Sequence, residues 1–306
     1  MVVWNEKHTD TINCIDCNSS GIVISGGEDK SVQVWNFTTQ AVVASIENFK
    51  DEVSALRFNP NNQNHFIASS GDSITLYDVR NVKKSLLHRV ILSNEDDAIN
   101  DVDISSCGEW CAIASDDKYL RLFEFTTEFI ANLDGHENLV TCCKFVADTD
   151  DDVPAVLSGG CDCNVILHEL NGRQLLPVSQ NIDLCVIGST LVNPPFVHCI
   201  ATNGDVGVCG LENGMLLLLD LKPLDIIAES SYHSLAVSQA VFLNNATLCS
   251  SSNECVIATW DIAQDSFELK SAVPHTSKIN SMCCYTNNLI IADLSNAITS
   301  FCTDLP

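Results

Sequence analysis

Basic residues are scarce in this 306-residue chain: 15 Lys and Arg stand against 40 Asp and Glu, a net charge of −25. Nucleic-acid affinity depends on neutralising phosphates with Lys and Arg, so direct binding of DNA or RNA is disfavoured, as is an anionic membrane surface. The acidic balance serves solubility first and leaves attraction of basic protein partners as the alternative. Long hydrophobic runs are also missing. The longest aliphatic run, Met215-Leu216-Leu217-Leu218-Leu219, falls far short of the ~20 residues a membrane helix needs. The start, Met1-Val2-Val3-Trp4-Asn5-Glu6, lacks the basic flank and apolar stretch of a signal peptide, so the cytoplasm or nucleus is the expected location. No Ser/Gly/Pro-rich linker divides the chain, and one domain over residues 1–306 is expected.

Catalytic patterns are lacking as well. No Ser/His/Asp order, paired-carboxylate signature or phosphate-binding glycine loop stands out, and Gly204-Asp205-Val206-Gly207 reads as a β-turn. The expectation is a protein that is not an enzyme and takes no cofactor. The 16 cysteines lie mostly inside apolar strands, as in Thr141-Cys142-Cys143-Lys144-Phe145, where reduced Cys acts as a small hydrophobe. Cys14 and Cys17 have the spacing of a zinc knuckle, but residues three apart on a strand point to opposite faces. Cys161 and Cys163 flank a turn near His168 without a complete ligand set. No metal is expected.

What the chain does have is apolar content and a repeat. Hydrophobic residues make up 46% and charged residues 18%, enough for a large core without disulfides or metal and too apolar for disorder. Each repeat holds an apolar strand, a polar turn, a strand ending in small residues, and a strand ending in an aromatic-acidic pair. The first runs His8, Ile12-Asn13-Cys14-Ile15, Ile22-Val23-Ile24-Ser25-Gly26-Gly27-Glu28-Asp29, then Val32-Gln33-Val34-Trp35-Asn36. Terminal pairs begin at Trp35, Tyr77, Phe123, His168, Leu219, Trp260 and Phe301, with spacings of 42, 46, 45, 51, 41 and 41 residues. This resembles the WD-repeat family along the whole chain, whose period is about 40–45 residues. The resemblance implies an all-β fold: a seven-bladed β-propeller closed by an N-terminal strand, Val2-Val3-Trp4, which would supply the last blade's missing outer strand.

In that family a His, a Ser, a turn Asp and a Trp form a hydrogen-bonded set that locks each blade. The resemblance implies this role for His8, Ser25, Asp29 and Trp35, for His136, Ser158 and Asp162 with His168 replacing the Trp, and for Trp260 in the sixth repeat. His233 and His275 fall at the same structural position as His8 and His136. Gly71, Asn213 and Ser295 stand where the turn Asp is expected in repeats two, five and seven. The stretch Asp148-Thr149-Asp150-Asp151-Asp152 reads as a solvated loop or a contact for a basic segment.

One short motif is specific. Tyr77-Asp78-Val79-Arg80 is the only repeat end with Arg two residues after the acidic position, and it closes a segment from His65 through Phe66, Ile67, Ala68, Ser69, Ser70, Ile74 and Leu76. It resembles the box of WD-repeat substrate receptors that dock on DNA damage-binding protein 1, the adaptor of cullin-4 ubiquitin ligases, with Tyr77 where the box has Trp. The stretches Asp51 to Pro60 and Ile74 to Arg80, and the ending Ile290 to Phe301, further resemble one individual member counted among candidate receptors. These likenesses imply a monomeric scaffold that contacts the adaptor through Tyr77, Asp78 and Arg80 and presents an unknown substrate. Arg suits the contact because its rigid fork binds carboxylates and carbonyls bidentately. The alternative is a general assembly scaffold or a reader of basic, histone-like peptides.

Overall fold

A polar turn every few residues lets each repeat fold back on itself as a small antiparallel sheet. The computed structural model describes residues 2–4, 7–94, 96–146, 155–171, 176–185, 193–262 and 266–302. Among these, the chain forms seven four-stranded antiparallel sheets, each with its strands in sequence order apart from the last. They are the blades of a β-propeller. The first blade runs Ile12–Cys17, Ile22–Gly27, Val32–Asn36 and Ala41–Ile46; the second runs Val53–Phe58, His65–Ser70, Ser73–Asp78 and Leu87–Val90. In the last blade the strands Ile279–Tyr285, Asn288–Asp293 and Ile298–Cys302 are completed by Val2–Val3, paired Val2 to Ser300 and Val3 to Thr299. Trp4 follows, buried, and its indole N–H donates to Ser300 Oγ at 3.0 Å. The acidic stretch at residues 148–152 lies outside the described residues.

Contacts divide the chain into two compact units, Met1–Val102 with Ser277–Pro306, and Asp103–Thr276. Both are built on the same rule. Second strands such as Ile22–Gly27 and Thr247–Ser252 bury every residue after the first, whereas the outer strand Ala41–Ile46 alternates exposed and half-buried. Inner strands have neighbours on both faces, so they need apolar or small side chains throughout.

Two repeated devices join adjacent blades. At the first, a glycine receives the branched side chain that opens the next blade. A Cβ at Gly26 would lie 2.4 Å from Val53 Cγ1, one at Gly159 2.4 Å from Val197 Cγ1, and one at Gly210 2.6 Å from Val237 Cγ1. The second is a β-bulge after the first residue of the innermost strand, at Asn13, Ser54, Thr141 and Asn280. The bulge turns these side chains onto the next blade's backbone. Asn13 Nδ2 donates to Val53 O at 3.5 Å, Ser54 Oγ to Ile99 O at 2.6 Å and Asn280 Nδ2 to Ile12 O at 2.9 Å, while Thr141 Oγ1 donates to Val197 O.

Candidate functional site

The second blade departs from the first at the position where a lock would form. Ala68 pairs with Thr75 as Ser25 pairs with Gln33, so the lock serine is missing from the second strand. Tyr77 is held by rings, with a hydrogen bond to the Thr75 side chain: it stacks on Phe66 with centroids 5.5 Å apart at 24°, and meets Phe49 edge-on at 6.1 Å. Such pairs add about 0.5–1.5 kcal/mol beyond area burial. Tyr77 thereby fixes the end of the strand Ser73–Asp78 from which Asp78 and Arg80 project.

At that end Asp78 caps the following turn. Its carboxylate accepts the Arg80 backbone N–H at 2.9 Å, Arg80 Nε–H at 2.9 Å and Arg80 Nη2–H at 2.6 Å. Hydrogen bonds from the Arg80 side chain, with the guanidinium charge and His65 nearby, hold the Asp78 carboxyl down to about 2. The Asp78 side chain is 14% exposed and that of Arg80 65%. One edge of the guanidinium is therefore tied down, and Nη1 has no partner among the described residues. A planar donor group fixed this way loses less rotamer freedom on binding than a free Arg. Of the three box residues Arg80 presents the exposed donor edge, Asp78 orients it, and Tyr77 anchors the strand end that carries both.

The blade-lock residues also come together. His8 Nε2 and Trp35 Nε1 both meet Ser25 Oγ, at 2.7 and 2.8 Å, and His8 Nδ1 lies 2.9 Å from Asp29 Oδ2. Burial lowers the His8 pKa despite Asp29, so the ring stays neutral, donating to Asp29 and accepting from Ser25. In the fourth blade His136 reaches Ser158 Oγ at 2.8 Å and Asp162 Oδ2 at 3.0 Å, and His168 Nε2 reaches the same hydroxyl at 3.1 Å. His168 Nδ1 is buried without a partner, and desolvation pushes the ring down to about 3. In the sixth blade Trp260 Nε1 and His233 Nε2 each lie 2.8 Å from Ser250 Oγ, with Glu254 Oε1 3.0 Å from His233 Nδ1. The role sought for an Asp is filled there by a longer acid at the same spacing from the lock serine, which a search for Asp passes over.

Where the turn Asp is replaced, the substitutes close turns. Gly71 takes φ +54°, Asn213 Oδ1 accepts Met215 N–H at 3.1 Å, and Ser295 N–H donates to Asp293 Oδ1 at 2.8 Å. The third blade has its own arrangement: Arg121, 5% exposed, donates through Nη1 to Ser115 Oγ at 2.9 Å and Asp117 Oδ1 at 2.7 Å. Cys14 and Cys17 diverge, with Cys14 Sγ against Val53 O and Cys17 Sγ against Cys284 O. At the opposite end of the second blade's strands, a cleft of about 360 Å³ is lined by Glu28, Asp51, Glu52, Asp96 and Asp97 with Lys30.

A model of the "WD domain, G-beta repeat" family matches residues 3–36, 86–124 and 127–169. The chain is 23% identical over 346 residues to the WD repeat-containing protein 53 homolog of Dictyostelium discoideum, covering 94% of this chain and 90% of that protein. Over 137 residues it is 31% identical to E3 ubiquitin-protein ligase COP1 of Arabidopsis thaliana, 44% of this chain and 20% of that one. The solved structure of U3-55K superposes with a TM-score of 0.81 at 13% identity, covering 98% of both chains, a likeness of fold alone. No helix among the described residues is long and apolar enough to cross a membrane.

Proposed function

We propose, from the premise that this chain carries WD40 repeats folded as a seven-bladed β-propeller, that it is a substrate receptor docking on the DNA damage-binding adaptor of a cullin-4 ubiquitin ligase. The propeller is a protein-interaction scaffold. The observation that carries the finer reading is the Arg80 guanidinium, forked onto Asp78 and exposed at the end of a strand anchored by Tyr77. An interface Arg with its geometry set in advance is the kind of anchor that dominates binding. The likeness of the His65 to Arg80 segment to the adaptor-docking box supports the same reading. A receptor of this kind would work in the cytoplasm or nucleus and perform no chemistry itself.

The test is adaptor binding to wild type and to Arg80→Glu. Reversal of the anchor's charge should abolish measurable binding while the melting curve stays put, since the side chain is largely exposed. Undiminished binding would count decisively against the reading. The general-scaffold alternative, capture of basic peptides, has the carboxylate-lined cleft near Gly71 as its support. Its sign would be binding of basic peptides that falls steeply with salt.

A further inference from the structure

The charge pattern of the chain inverts in one place. From residue 79 to residue 94 there is no Asp or Glu, although the chain holds 40 of them, and four of its 15 Lys and Arg, at 80, 83, 84 and 89, fall within ten residues. This stretch forms the turn after Ser73–Asp78 and the outer strand Leu87–Val90 of the second blade. Val79 and Val82 tuck against the blade's core and hold the turn in place, leaving Lys83 and Lys84 exposed. Among the described residues no carboxylate pairs with either lysine. Leu86, 51% exposed, and Val90, 54% exposed, lie at alternate positions with His88 and so share a face.

We propose that this ridge, Arg80, Lys83, Lys84, Leu86 and Val90, binds an acidic segment of a partner protein that places apolar side chains between its carboxylates. The proposal deepens the docking reading and rests on it only through Arg80. A surface that is positive within a chain of net charge −25 holds its potential over about one Debye length, roughly 8–10 Å. It therefore steers a short acidic segment while the rest of the molecule repels long polyanions. Apolar side chains ringed by charge match the anatomy of protein interfaces. A nucleic acid or an anionic bilayer would have to spread its phosphates over the acidic remainder of the chain, and neither has a use for Leu86 and Val90.

The experiment uses the full chain and a fluorescent peptide of alternating Glu and Leu, with wild type, the double variant Lys83→Glu/Lys84→Glu, and Leu86→Ser read by anisotropy. The peptide should bind wild type with salt-sensitive affinity, lose tenfold or more on the double reversal, and weaken several-fold with Leu86→Ser. The same peptide with Lys in place of Glu should not bind. No binding to wild type, or binding untouched by the double reversal, would overturn the proposal. So would tighter binding of single-stranded RNA or of phosphatidylserine vesicles through the same lysines. Failure here is separable from failure of the docking reading: adaptor binding abolished by Arg80→Glu yet indifferent to the lysine reversal removes the ridge and leaves the docking contact standing.

Discussion

His168 occupies in the fourth blade the position that Trp35 and Trp260 hold in the first and sixth, and replacing it with Trp has a calculable consequence for acid stability. The ring is 1% exposed, its Nε2 meets Ser158 Oγ and its Nδ1 has no partner. Desolvation, with the neighbouring His136 ring adding to it, pushes its pKa from 6.5 down to about 3. The folded protein therefore keeps this ring neutral while the unfolded chain takes up a proton below its own, higher pKa. Stability from this site is intact above that value and falls as pH drops, by about 1.4 kcal/mol per unit, until the folded pKa is reached. Between pH 7.5 and pH 5 the loss comes to roughly 2 kcal/mol. In His168→Trp the indole N–H can donate to Ser158 as Trp35 does to Ser25, and nothing titrates. Urea unfolding of both proteins at pH 7.5, 6.5, 5.5 and 5.0, followed by far-UV circular dichroism, should show the variant losing about 2 kcal/mol less than wild type. His8 and His233, also lowered by burial, are common to both proteins and leave a residual slope. Asp29 and Asp162, held below the usual carboxylate range, act only below about pH 4. Parallel loss of stability in the two proteins would refute the reasoning.

Ser25→Ala should cost about 2–4 kcal/mol in urea titration, because it strands the Trp35 N–H and the His8 ring nitrogen in the interior; a change within experimental error would mean the lock contributes no stability. Gly159→Ala, whose Cβ would sit 2.4 Å from Val197, should destabilise by about 1–3 kcal/mol, and Val197→Ala in the same molecule should recover part of that loss. Iodoacetamide at pH 8 should alkylate the exposed Cys107, Cys185 and Cys302 in the native protein. It should spare Cys209, whose thiol burial pushes up, and Cys249, pushed up to about 11, until denaturant is added; mass spectrometry reads the sites.

The repeat and its period were legible because a blade's needs recur every forty-odd residues: a strand opened by Ile or Val, small residues closing the second strand, and an aromatic residue on the third. The His8, Ser25, Asp29 and Trp35 spacing could be read for the same reason. What stayed hidden depends on register and reach. Asn13, Ser54 and Asn280 look like ordinary polar interruptions, and only the bulge aims them at the next blade. Glu254 stands at the same spacing from Ser250 as Asp29 from Ser25 and escapes a search for Asp by residue type alone. Arg121 reads as a surface cation, yet it is buried on Asp117 and Ser115 because Ile113 pairs with it where a lock serine would stand. The Tyr77, Asp78 and Arg80 motif is readable as a string; that Arg80 folds back on Asp78 and keeps one edge outward is set by the turn after the strand, which a string does not encode.

The most direct test of the docking reading is a side-by-side titration of the purified adaptor with wild-type protein and Arg80→Ala. Binding by wild type that weakens roughly tenfold or more in the variant is the predicted result. Equal affinity for both proteins, or no binding to either, would contradict it and leave a propeller scaffold whose partners lie elsewhere.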